Sequence, residues 1–183
     1  RLRVVAVTGS NGKTSTKNML RSILEKFGNT ISPIESYNNE VGAPISMLKA
    51  DFETDFLVAE LGAGGIGSIK YLAEMCQPDV AVELKVGLAH VGEFGGIETT
   101  FEIKSELVKA LRDSSQVILN ADDSLVTQMA QFTNAEKTWF GTNEGADVRA
   151  ENIALTLAGT RFDLLVNGET LGPVNLRILG EHQ

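Results

Sequence analysis

Gly12-Lys13-Thr14 closes the stretch Thr8-Gly9-Ser10-Asn11-Gly12-Lys13-Thr14-Ser15, which joins a β-branched run to a helical pattern. Glycines in such a loop let backbone N–H groups approach phosphate oxygens with no Cβ in the way. The first turn of the following helix adds unpaired donors and the favourable end of its dipole. Lys13 would set its ammonium against the β/γ-phosphates, and Thr14 would offer its hydroxyl to Mg²⁺. The strict G-x-x-x-x-G-K-[ST] spacing asks for glycine at position 7, where the chain has Val7. A chance Gly-Lys-Thr turn is the plain alternative. The strand–loop–helix context favours nucleotide binding.

Other residues could join that chemistry. Glu60 ends the apolar run Phe56-Leu57-Val58-Ala59. A carboxylate at the C-terminal end of a strand in an open α/β sheet lies at the ligand crevice, and oxygen ligands suit Mg²⁺. Its plain reading is an acidic strand end facing water. Lys104 lies three residues after Phe101 and four before Val108, on the inward stripe of a helix. Glu102, Ser105, Glu106, Lys109 and Asp113 populate the wetter side. Desolvation depresses the pKa of an inward lysine. Such a lysine either snorkels outward or has been made chemically useful. His90 and Glu93 lie in a Gly/Ala-rich stretch, where a histidine is usually a loop hydrogen-bonder. Asn38 and Asn39 fit a turn, and Asp122 and Asp123 fit a helix N-cap and first turn.

The elements that must position these groups alternate as far as about residue 145. Strands are expected at Val4–Val7, Phe56–Leu61, Val80–Val86, Gln116–Asn120 and Thr138–Phe140. Helices are expected at Lys13–Phe27 (with Gly28 as C-cap), Val41–Ala50, Ser68–Cys76, Thr99–Leu111 and Ser124–Phe132. The first helix has Met19, Leu20, Ile23, Leu24 and Phe27 at helical spacing. Strands separated by helices imply right-handed crossovers and a mostly parallel sheet covered on both faces. Beyond residue 145, Val148–Leu157, Arg161–Val166 and Val174–Ile178 read as strands joined by turns. The expected fold is therefore α/β: a mostly parallel P-loop sheet flanked by helices, with a small antiparallel β-subsheet at the C-terminal end. Residues 1–145 form the core and 146–183 an extension of the same domain.

Composition sets the outer limits. The 183 residues are 43% hydrophobic and 22% charged, with a net charge of −8. Such a chain is globular, and an acidic one without a basic block is a poor partner for nucleic acid. No apolar run reaches a membrane span. Cys76 is the sole cysteine, which excludes an internal disulfide and a multi-cysteine metal site. A cytoplasmic setting is the default. The abrupt ends at Arg1 and Gln183 suggest a piece of a longer protein.

The variant Thr8-Gly9-Ser10-Asn11-Gly12-Lys13-Thr14 resembles the Mur ligase family of ATP-dependent amide-bond-forming enzymes of peptidoglycan synthesis. Further landmarks follow in family order: Tyr37-Asn38-Asn39-Glu40-Val41-Gly42, Ala59-Glu60-Leu61-Gly62-Ala63, Ala89-His90-Val91-Gly92-Glu93-Phe94-Gly95, Ile103-Lys104-Ser105-Glu106 and Asn120-Ala121-Asp122-Asp123. The resemblance covers the family's central ATPase domain, without its N- and C-terminal substrate domains. It implies ATP along the loop from Thr8 to Ser15, one Mg²⁺ at Thr14 and Glu60, and a second at His90 and Lys104. Lys104 would be carbamylated by CO₂, and Asn38 and Asn39 would lie beside the phosphates and the substrate carboxylate. Lys13, Lys104 and His90 would be the catalytic set. Thr14-Ser15-Thr16-Lys17 and the paired asparagines resemble the member that adds D-alanyl-D-alanine to UDP-MurNAc-tripeptide, and a monomer is expected. Other Mur-type ligases, a folylpolyglutamate synthase-like enzyme and a nucleotide-binding module without turnover remain alternatives. Three features depart from the family pattern. Gly64-Gly65-Ile66-Gly67-Ser68 lacks an expected polar side chain, Glu83 and Lys85 interrupt an apolar strand and could pair with each other, and the cation of Lys85 would compete with Mg²⁺.

Overall fold

The computed structural model describes residues 2–33, 37–87 and 95–177. Among the described residues nine strands form one sheet: β1 (Arg3–Thr8), β2 (Thr30–Ile31), β3 (Phe56–Glu60), β4 (Val80–Glu83), β5 (Gln116–Asn120), β6 (Glu136–Gly141), β7 (Val148–Thr156), β8 (Gly159–Val166) and β9 (Glu169–Leu176). Among the described residues the helices are α1 (Lys13–Leu24), α2 (Gly42–Met47), α3 (Ser68–Cys76), α4 (Ile97–Lys109) and α5 (Ser124–Met129). A 3₁₀ turn, Ala130–Phe132, follows α5.

The strand order is β2-β3-β1-β4-β5-β6-β7-β8-β9. The chain leaves β1 toward β3 on one side and returns to β4 on the other. The order therefore reverses at β1, and in an open α/β sheet the ligand crevice lies at that reversal, beyond the C-terminal strand ends. Parallel register sets Val7 against Glu60 and Thr8 against Glu83. Two acidic residues thus flank the strand that feeds the glycine loop.

Successive strand side chains face opposite ways. One row, including Ala6, Leu57, Ala59, Ala81, Val117 and Leu119, packs with Ile69 and Leu72 of α3, Ile103 and Leu107 of α4, and Val126 and Met129 of α5. The alternate row, including Val7, Val58 and Val82, is buried on the face against which α1 packs.

The antiparallel strands are continuous with the main sheet. β7 pairs parallel with β6 at Phe140–Gly141, then antiparallel with β8, which pairs antiparallel with β9. The two-residue strand β2 was not anticipated.

Three expectations about the helices change. α1 ends at Leu24 with Glu25 as C-cap, so Gly28 is not its cap. The last turn tightens there, as Lys26 N donates to Ile23 O (3.0 Å) and Phe27 N to Leu24 O (2.8 Å). Ile23 and Phe27 of the expected apolar stripe are exposed, and the buried residue of α1 is Lys17. In α4 the run Ile103, Lys104, Ser105, Glu106, Leu107 and Val108 is buried throughout. Ser105 and Glu106 therefore do not lie on a wetter side. Glu106 accepts from Gly67 N (2.6 Å) and Lys70 N (2.9 Å), meeting orphan donors at the start of α3, whose own N-cap residue Gly67 has no side chain to do so.

Candidate active site

The glycine loop is shaped by its neighbour, the segment after β4. Ser10 N donates to Lys85 O (2.7 Å), and Gly87 N donates to Ser10 Oγ (2.8 Å). A Cβ on Gly9, where φ is +148°, would lie 2.8 Å from Leu84 Cβ. Close packing against Leu84, together with that φ, explains why residue 9 is a glycine. Gly12, at φ +83°, turns the chain into α1, and Thr16 N donates to Gly12 O (2.9 Å). Thr8 lies under the loop, donating from its hydroxyl to Leu61 O (2.8 Å). Asn11 is exposed and Ser15 is half-buried.

Around this loop the structure brings Lys13, Thr14, Lys17, Asn38 and Glu60 together. Lys13 Nζ donates to Gly9 O (2.8 Å). Thr14 Oγ1 donates to Glu60 Oε2 (3.1 Å), and Asn38 Nδ2 donates to Glu60 Oε1 (2.7 Å). Glu60 is 1% exposed, so it is not a strand end facing water. Asn38 reaches it because residue 62 is glycine: a Cβ there would lie 2.5 Å from Asn38 Oδ1. Asn39 turns the other way. Its Oδ1 accepts from Gly42 N (2.7 Å) and Val41 N (3.2 Å), opening α2.

Lys17 is the member of this cluster that periodicity missed. It is fully buried, donates to Pro33 O (2.8 Å) and stands 3.9 Å from Glu60 Oε2. Burial lowers the pKa of Lys17 and of Lys13, and the Glu60 carboxylate opposes the shift in both. Lys17 thus pairs with the buried carboxylate, and Lys13 lies within its electrostatic reach.

The second group of charges gathers on the α4 side of the sheet. Lys104 is buried, not snorkelled. Desolvation lowers its pKa to about 8, against the pull of Glu83. Glu83 is wholly buried, and desolvation drives its pKa upward, opposed by Lys104 and Lys13. Lys85 is exposed, so the expected Glu83–Lys85 pair does not form. Its structural contribution is the backbone carbonyl already named. His90 and Glu93 lie outside the described residues.

Asp123 is the N-cap of α5, accepting from Leu125 N and Val126 N (both 3.0 Å) and also from Val86 N (3.2 Å). It therefore ties the segment behind the glycine loop to α5. Asp122 instead holds the turn after β6, accepting from Thr142 N (2.7 Å). Asp123→Ala should lower the stability of this chain by about 1–2 kcal/mol, a typical cap loss. An unchanged urea-unfolding midpoint would count against that role.

The donor set suits Mg²⁺. Glu60 and the Thr14 hydroxyl are oxygen donors at the phosphate loop, the donor type of a cation that commonly binds through one or two carboxylates plus substrate phosphates.

A reversal-point glycine loop, a lysine on it and a buried strand-end carboxylate define a P-loop-type α/β domain. The profile of the Mur ligase middle domain matches residues 7–183, and the chain belongs to that family. It is 40% identical over 183 residues to the UDP-N-acetylmuramoyl-tripeptide–D-alanyl-D-alanine ligase of Mycobacterium tuberculosis, covering all of this chain and 36% of the relative. MurF of Acinetobacter baumannii superposes with a TM-score of 0.92 at 35% identity, over 99% of this chain and 40% of that one. MurF of Thermotoga maritima, solved in complex with ADP, gives 0.84 at 30% identity, over 94% of this chain and 40% of that one. The chain thus spans little more than a third of the length of such relatives. Among the described residues no helix is long and apolar enough to cross a membrane.

Proposed function

We propose that this chain is the nucleotide-handling domain of an ATP-dependent ligase that joins D-alanyl-D-alanine to UDP-MurNAc-tripeptide through an acyl phosphate. The observation that carries the reading is the convergence of Lys13, Thr14 and Asn38 at the loop and on the buried Glu60 carboxylate. The substrate pair rests on likeness to the mycobacterial ligase. Residues 1–145 hold the nucleotide and 146–183 extend the same domain. A monomer in a cytoplasmic setting suits this role.

The loop from Gly9 to Thr14 binds the triphosphate through backbone N–H groups and the Lys13 ammonium. Thr14 and Glu60 would hold one Mg²⁺, and Asn38 fixes the orientation of Glu60. His90 and Lys104 would hold a second, with Lys104 as a carbamate. Burial favours that modification, since CO₂ adds to a neutral amine and releases a proton. Bound Mg²⁺ supplies neutralisation of the γ-phosphate and the incoming carboxylate, two anions that otherwise repel. Lys13 adds a fixed cation at the same place, so the domain acts by positioning and by charge stabilisation.

The test is phosphate release by the full-length protein. It should require both a tripeptide carboxylate and a dipeptide amine, with D-alanyl-D-alanine preferred in an amine panel. Release without the amine points to a nucleotide switch instead. Lys104→Ala should lower the rate, with partial recovery on adding a short carboxylic acid. Activity untouched by CO₂ removal would end the carbamate assignment.

A further inference from the structure

We propose that Glu83 is a carboxylate ligand for a divalent cation on the Lys104 side of the phosphate loop, separate from the Thr14–Glu60 pair. This rests on the nucleotide reading above and adds a residue to it.

Glu83 is 0% exposed, and neither of its carboxylate oxygens has a hydrogen-bond partner among the described residues. Burying an unpaired carboxylate is costly, so such groups are normally paired or coordinate metals. The lysines nearest in charge do not supply that partner. Lys13 donates to Gly9 O, and no ion pair joins Glu83 to Lys104 among the described residues. The strand that carries Glu83 has no structural need of an acid, since its neighbours Ala81 and Val82 are buried apolar residues.

Position supplies the second argument. Glu83 is in register with Thr8, the first residue of the loop, on one side and with Leu119 on the other. Glu60 is in register with Val7. Paired residues in parallel strands share a face and successive residues alternate, so Glu60 and Glu83 leave opposite faces of the sheet at the same edge. Glu60 meets α1 through Thr14 and Lys17. Glu83 emerges on the face covered by α3, α4 and α5, with Lys104 and Asp123 as its charged neighbours. Each face of the reversal point therefore carries one buried carboxylate, and Mg²⁺ commonly binds through one or two carboxylates plus phosphates.

The probe is Mn²⁺, counted by electron paramagnetic resonance on the full-length protein saturated with ADP. The parent should bind two Mn²⁺ per chain. Glu83→Gln should weaken the second ion at least tenfold and leave the first unchanged, while Glu60→Gln should weaken the first. Glu83→Asp, which keeps the carboxylate, should hold the second ion more tightly than the Gln variant. Thermal unfolding without nucleotide should show Glu83→Gln folded, because it removes an unpaired buried charge. Two ions bound equally by parent and Glu83→Gln would overturn the proposal, leaving Glu83 as a carboxylic acid kept protonated. One ion in both proteins overturns it as well. ADP affinity, read by displacement of a fluorescent nucleotide, separates the failures: no ADP binding by the parent removes the functional reading and this one together, whereas ADP binding with an unchanged second ion removes only Glu83.

Discussion

Alanine at Lys13 is expected to slow acyl-phosphate formation by the full-length protein about 10²–10³-fold in a single turnover, the usual loss for one preorganised donor. Lys13 lies at the start of α1 with its ammonium on Gly9 O (2.8 Å), and its charge neighbours are Glu60 and Glu83. Its ammonium thus sits at the mouth of the glycine loop, within electrostatic reach of two buried carboxylates. Desolvation lowers its pKa and the carboxylates oppose that shift, and phosphate charge arriving beside it favours the cation. In such a site a charge–charge contact is worth far more than in water. Arginine should restore little, because its planar fork cannot replace a compact ammonium folded back on its own loop. The outcome that would remove this role is an acyl-phosphate burst of equal size and rate in parent and Lys13→Ala.

The glycine loop was the most legible part of the chain because its chemistry is local. Gly9, Gly12, Lys13 and Thr14 are near in sequence, and their task depends on backbone shape and one helix start. Glu60 was legible for a related reason: a strand-end carboxylate announces itself against four apolar residues. The strands β3 and β5 were also readable as short apolar runs, and the helix α3 from Ile69, Leu72, Ala73 and Cys76 at helical spacing. Long-range contacts were not. Lys17 lies on the side of α1 turned to Glu60, yet its sequence neighbours are polar, so nothing in the spacing marks it as buried. Glu106 looked solvated because α4 was read as having one apolar stripe. The helix is instead wedged so that six consecutive residues are covered, and the acid is spent on the N–H groups that open α3. Glu83 broke the strand pattern visibly, but only the register with Thr8 and the bare state of its oxygens give the break a meaning.

Lys17→Ala is expected to destabilise this chain by about 3–5 kcal/mol, the usual result of removing one partner from a buried ion pair. For a domain of this size that lowers the melting temperature by roughly 6–20 °C. Lys17 is fully buried and Glu60 is 1% exposed, 3.9 Å apart, and the same ammonium also meets Pro33 O (2.8 Å). Taking it away leaves a buried carboxylate short of a cation and a buried carbonyl short of a donor, both in a site where water cannot readily substitute. Methionine separates packing from charge, since it restores the bulk of the side chain but not the donors. If charge dominates, Lys17→Met should unfold nearly as early as Lys17→Ala. The double variant Lys17→Met with Glu60→Gln should recover much of the loss, giving a coupling energy that neither single change predicts. A Lys17→Met protein as stable as its parent would instead show that the aliphatic stem, and not the ammonium, is what α1 contributes beneath the nucleotide.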